Sequence, residues 1–230
     1  MAYNTGTVGD GEQAFPPGRK ETSMQARYHR EITTLAIGER FSPEALAEVI
    51  RANLGLDRLA GQIGHDEYHF DRDAFRESLD FVEKNRRAVQ AGLEKGDGHA
   101  ARRGLGRLTH TVQDFYAHSN YVRLWLDRFP PQAAPRPEAI EALDAELLAS
   151  PELRSGKLYF PLEVLYFVPG LRKWVLPRLP RDSHAWMNLD GPDREPYFSY
   201  AVQAAIQRTR TEFERTVSVL SPARLSLLTG

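Results

Sequence analysis

Leu108-Thr109-His110-Thr111-Val112-Gln113-Asp114-Phe115-Tyr116-Ala117-His118-Ser119-Asn120 is the stretch on which the reading of the fold turns. On an α-helix, residues three or four apart stack on one face. His110, Asp114 and His118 are spaced by four, so they form one stripe over about two turns. Apolar Leu108, Val112, Phe115 and Val122 flank that stripe. Two imidazoles and a carboxylate in a row suit zinc, which takes His nitrogen and Asp oxygen. The central carboxylate has two oxygens and is able to bridge a pair of ions, with one histidine serving each side. A buried polar stripe, or a solvated helix face, is the plainer reading of the same pattern.

Outward from this stretch the pattern stays helical. Tyr28, His29, Ile32, Leu35 and Ala36 fall on related faces of a first helix. Ser42-Pro43-Glu44-Ala45 is a helix start, with Ser as N-cap and Pro at the first helical position, and that helix runs to about Asn53. Ala74 to Lys95 reads as a helix ended by Gly96-Asp97-Gly98, and His99 to Phe129 as another. Pro130 to Pro137 is a linker, 137–149 a short charged helix and 182–196 a loop holding His184. Tyr197 to about Leu220 is the last amphipathic helix. No convincing strand pair is present. The expectation is one all-α domain over 1–230, a multi-helix bundle with a metal cleft. Residues 1–22 form a Gly- and Pro-rich arm and 130–181 an inserted, cap-like segment.

Composition narrows the chemistry. A chain of 230 residues buries a substantial core. A formal net charge of −1 gives no sign of a basic nucleic-acid-binding surface, so duplex nucleic acid is not an expected partner. Cysteine is absent, which excludes disulfides, thiolate catalysis and Cys-type zinc sites. No signal peptide is visible, which predicts a cytoplasmic protein or one exported by a non-Sec route. No stretch reaches the roughly 18 apolar residues of a membrane-spanning helix.

Three further pieces carry candidate ligands. His65-Asp66-Glu67-Tyr68-His69-Phe70-Asp71-Arg72-Asp73 is dense in metal-suited groups, its bland reading being a solvated acidic loop. His29 faces inward on the first helix, where a lone histidine is more often a satisfied core residue. His184 lies in Asp182-Ser183-His184-Ala185-Trp186-Met187-Asn188-Leu189-Asp190. His99, in a Gly-Asp-Gly-His turn, reads as a surface residue.

In this order, the pieces His29-Arg30-Glu31-Ile32-Thr33, His69-Phe70-Asp71, the segment from Leu105 to Tyr121, and Ser183 to Asp190 resemble the zinc-dependent phospholipase C and single-strand nuclease superfamily, most closely its HET-C-like branch. The resemblance implies an all-helical fold holding two or three zinc ions. It implies His29, Asp57, His69, His110, Asp114, His118 and His184 as metal ligands, with Asp57 also the candidate general base. Asn188 stands where that family has an acidic ligand, and Asp190 is the nearest carboxylate. The implied activity is a phosphodiester hydrolase acting on a phospholipid or a small phosphoester through a metal-bound water. The aromatic segment 158–176 would then be a cap, a membrane-surface contact or ordinary core.

Other readings stand beside this one. His29, His65-Asp66 and Asp114 follow the order of an HD-type phosphohydrolase, and a nuclease belongs to the same superfamily. The chain also reads as a non-catalytic helical interaction module. His and carboxylate ligands suit iron as well as zinc, and with iron the chemistry would differ.

Overall fold

The computed structural model describes residues 26–58, 64–166, 168 and 170–230. The expected arm at 1–22 and part of the 56–73 stretch lie outside them. Among the described residues the chain is all-α, with two isolated bridges, Ser119 to Ser155 and Lys157 to Ser183, in place of strands.

The sequence pattern sets the main helices directly. Helix α1 (Ala26–Ile37) buries His29, Ile32, Thr33 and Ile37. Helix α2 (Pro43–Asn53) starts at Ser42, whose side chain accepts a hydrogen bond from the Ala45 amide at 3.2 Å. That bond satisfies an amide with no partner inside the helix. A short helix α3 (Asp66–His69) leads through a tight turn into α4 (Phe75–Glu94), which Gly96 terminates at φ +73°.

Helix α5 (Gly98–His118) is the axis of the molecule. Asp97 caps it by accepting from the Ala100 amide at 2.8 Å. It packs chiefly against α4, α2 and α11 (Tyr197–Val217) and is buried on nearly every side. Burying a side chain such as Leu105 or Leu108 contributes about 1.5–3 kcal/mol. Gly106 lets α2 approach closely, since a Cβ there would lie 2.3 Å from the Val49 carbonyl oxygen. The core divides along this axis. Ile37, Val49, Leu105, Phe213 and Leu228 fill one end, and Tyr28, Phe115, Tyr121, Trp125 and Phe198 fill the other.

The helix expected to reach Phe129 stops at His118. Ser119 is extended, and α6 (Tyr121–Leu126) then starts afresh. A returning strand-like segment causes the break. The Gly156 amide donates to the His118 carbonyl at 2.9 Å and the Asn120 amide to the Arg154 carbonyl at 3.0 Å. Ser and Asn compete well for such backbone groups. The charged helix expected at 137–149 is reduced to α7 (Ala145–Leu148), capped by Asp144, because Ile140 in extended backbone and Ala142 in the turn after it are drawn into the core.

Segment 158–180 forms α8 (Leu162–Tyr166) and α9 (Arg172–Val175), around a small core of Tyr166, Val175, Leu179 and Ala185. Phe160 and Trp174 stand outside it, 85% and 57% exposed. The expected loop at 182–196 contains α10 (His184–Met187), started by Ser183. Helix α12 (Pro222–Thr229) closes the chain through the same Ser-Pro signal as α2. No helix among the described residues is long and apolar enough to cross a membrane.

Candidate metal centre

Four elements converge on one side of α5. Helix α1 supplies His29, the turn after α2 supplies Asp57, α3 with its following turn supplies His69 and Asp71, and α10 supplies His184. The stripe read from the sequence faces this convergence, and His110, Asp114 and His118 are 0%, 0% and 2% exposed.

Asp114 sits among three imidazoles. Its Oδ1 lies 3.2 Å from His29 Nε2, and its Oδ2 lies 2.8 Å from His69 Nδ1 and 3.0 Å from His110 Nε2. Asp57 closes the group, 3.8 Å from His29 Nε2 and 3.6 Å from His110 Nε2. His29, Asp57, His110 and Asp114 thus offer four donor atoms within 4.8 Å of one another. A tetrahedron with metal–ligand bonds of roughly 2.0–2.1 Å has edges of about 3.3–3.4 Å, so these separations fit a single ion. Asp71, His118 and His184 form a second such group. Asp71 Oδ1 lies 3.0 Å from His184 Nδ1 and 3.4 Å from His118 Nδ1, while Asp190 Oδ1 is 3.4 Å from His118 Nε2.

Burial and charge act against each other here. Desolvation alone would raise the Asp114 carboxyl, but His110, His118 and His29 hold it well below the usual carboxylate range. Asp71 is held low in the same way by His184 and His118. Burial would lower His29, yet Asp114 and Asp57 raise it to about 9. His69 and His118 are raised against burial by the same class of neighbour, whereas burial wins at His110 and lowers it. His29 Nε2, both Asp57 oxygens, Asp114 Oδ1 and His118 Nε2 are buried with no hydrogen-bond partner among the described residues. Buried lone pairs left in that state are costly.

The site residues expected from the sequence therefore divide between two adjacent groups, with His69 between them and Asp190 at the rim. His65 and Asp66 do not join them. His65 is paired with Glu67 and stacked on Tyr68, and Asp66 faces Arg72, so the HD-type arrangement is not formed. His99 is a surface residue, as expected, and pairs with Glu48. Asn188 accepts from Arg194 at 3.1 Å.

Two contributors were not assigned a role from the sequence. Asp71 is presented by a turn in which Phe70, Arg72 and Asp73 all have positive φ, near 56°, 56° and 59°. Such conformations cost non-glycine residues energy and cluster at functional sites. The turn is pinned by Ser155 and Gly156, whose hydroxyl and carbonyl accept from the amides of Asp73 and Arg72. Gln113 is the other. Its amide accepts from His29 and Asn53 and donates to Thr33 and Thr209. Its signal was a long amide at an interior-facing position of α5.

Comparison with known proteins identifies this arrangement's lineage. The model of the VWA7 N-terminal domain matches residues 22–136, half of the chain. The chain belongs to the VWA7 N-terminal domain family. Von Willebrand factor A domain-containing protein 7 of Rattus norvegicus is 31% identical over 118 residues, covering 47% of this chain and 13% of the relative. The Homo sapiens protein of the same name is 35% identical over 80 residues, covering 35% of this chain and 9% of the relative. The chain thus matches only a small part of these relatives' length. No solved structure matches.

This membership corrects the resemblance drawn from the motifs. His29, Asp57, His69, His110, Asp114 and His118, which suggested the phospholipase C superfamily and its HET-C-like branch, all lie within the stretch that matches the VWA7 N-terminal domain instead. The assignments as an enzyme, a hydrolase, a phosphodiesterase and a phospholipase C-like protein lose their support with it. Helical spacing of His and Asp describes a way of holding charge, which unrelated chemistries share.

Proposed function

We propose that this domain is a metal-holding helical module that braces part of a larger protein and acts through binding, not catalysis. Two ions of the zinc class fit the ligand chemistry, with iron as the alternative metal. His29, Asp57, His110 and Asp114 would hold one. Asp71, His118 and His184, with Asp190 beside them, would hold the other, and His69 would support both.

One observation carries this reading: four side chains from three separate elements bring donor atoms within 4.8 Å of one another, three of the four side chains fully buried. Structural zinc sites are closed by four protein ligands, whereas catalytic ones keep a position for water. Three of the four groups in the first cluster are 0% exposed, which favours a closed, structural site. Family membership is compatible with this reading: the relatives are named for a von Willebrand factor A domain, and the stretch matched here is 9–13% of their length.

The test is metal analysis of the purified chain, stripped with chelator and refilled with zinc or iron. Two ions per chain are expected. Zinc at 100 times its dissociation constant should stabilise the fold by about 2.7 kcal/mol per site. For a chain of this size that is a rise in melting temperature of roughly 5–10 °C. A stripped protein that takes up neither metal and melts unchanged in its presence would remove the proposal.

A further inference from the structure

A second feature of α5 lies toward its N-terminal half, beside the turn that carries Asp57. Between α2 and the N-terminal half of α5 runs a groove of about 870 Å³. Arg51, Arg58, Arg103 and Arg107 line it, and among the described residues none of the four forms an ion pair. Residues 59–63, which follow Arg58, carry no acidic side chain. Glu48 is the groove's one carboxylate, and it is already engaged, accepting from Arg102 Nε at 2.7 Å and lying 2.8 Å from His99 Nδ1. The groove therefore gathers four uncompensated positive charges on a protein whose net charge is −1.

Arg107 is held in advance of any ligand. Its guanidinium lies 5.3 Å from the Phe81 ring centroid and 5.9 Å from that of Tyr68. Its Nε is buried with no hydrogen-bond partner among the described residues. A guanidinium fixed by aromatic faces loses little freedom on binding a carboxylate.

We propose that this groove binds an acidic peptide segment in extended conformation. Guanidinium forks match carboxylates two bonds at a time. Arg103 and Arg107 are one turn apart, a rise of about 6 Å. Alternate side chains on one face of an extended strand repeat at roughly 6.5–7 Å. The groove is too large for a lone inorganic anion, and no Phe, Tyr or Trp lines it to stack a nucleobase. Ala52, Ala88 and Ala100 add small side chains to its lining.

Fluorescence anisotropy with a labelled octaglutamate peptide tests this on the full chain, with octaglutamine as the neutral control. The wild type is expected to bind octaglutamate alone, more weakly as salt rises. The double variant Arg51→Gln, Arg103→Gln changes two exposed residues and should bind at least about tenfold more weakly, with its melting temperature unchanged. Binding should be the same with chelator or zinc present, so its outcome is separate from that of the metal proposal. No binding of octaglutamate, equal binding by the double variant, or preferential binding of inorganic phosphate or oligothymidylate would each overturn it.

Discussion

The Nδ1–H of His29 donates to Oε1 of Gln113 across 2.7 Å, deep in the protein. Because Gln113 spends its amide N–H groups on Thr33 and Thr209, its oxygen must face His29. That orientation leaves His29 Nε2 directed at Asp57 and Asp114, where a cation would need it. A partner of this kind fixes the ring and its tautomer, as second partners of metal-bound histidines do.

Replacing Gln113 with Leu removes one hydrogen-bond partner from each of four buried groups, on His29, Asn53, Thr33 and Thr209. The expected loss is about 3 kcal/mol of stability, from unsatisfied partners at roughly 1–3 kcal/mol each less what repacking recovers. Zinc affinity of the first site should fall about 10–100-fold while that of the second holds. Denaturant melts and zinc titration check both. Equal weakening of the two sites would show that Gln113 merely maintains the fold.

The two ligand groups should empty separately. His29→Ala is expected to lose one ion and keep the other, and His184→Ala to do the reverse, because they belong to different clusters. Asp114→Asn should weaken the first site most, since both of its oxygens face that cluster's imidazoles. Metal content per chain decides, and simultaneous loss of both ions in His184→Ala would mean the clusters are one site.

In the chelator-stripped protein, His29 is raised from 6.5 to about 9 by Asp114 and Asp57 against the cost of burial. A raised histidine stabilises the fold fully below its unfolded value and loses that contribution as pH climbs through its folded value. His69 and His118 shift in the same direction. His110, lowered by burial, acts oppositely, and only on acidification. The melting temperature of stripped protein should therefore fall between pH 6.5 and pH about 9. A flat or rising profile across that window would contradict the charge arrangement. Zinc affinity should move the other way, rising with pH as the imidazoles give up their protons.

Gly106→Ala tests the helix pair that carries the first site. Its Cβ would meet the Val49 carbonyl at 2.3 Å and the Ala52 methyl at 2.7 Å, and backbone there has no room to yield. We expect a loss of about 3 kcal/mol or failure to fold. A thermal melt within a degree of wild type would show that α2 and α5 separate more easily than their packing suggests.

Much of the helical frame was legible. Ser42-Pro43 marked the start of α2, the Gly96 region marked the end of α4, and spacing by four put His110, Asp114 and His118 on one stripe. Ser221-Pro222 carried the same start signal for α12 and went unused. The stop at His118 was not readable, because it depends on residues 154–156 returning to that helix end. Asp71 stood in a stretch dense in metal-suited groups, but nothing local singled it out as a ligand. Its turn relies on left-handed Phe70 and Arg72, conformations that no local preference of those residues announces.

The sequence alone pointed to a helical chain without cysteine that carries His110, Asp114 and His118 on one helix stripe. Those properties follow from composition and from hydrogen bonds that reach only four residues along the chain. Tertiary structure chose His69 over its neighbour His65, brought Asp57 and Asp71 to different clusters, and left four arginines facing one groove. Such choices depend on how helices distant in sequence pack against α5, and side-chain volume and buried charge settle that only once the whole core is assembled.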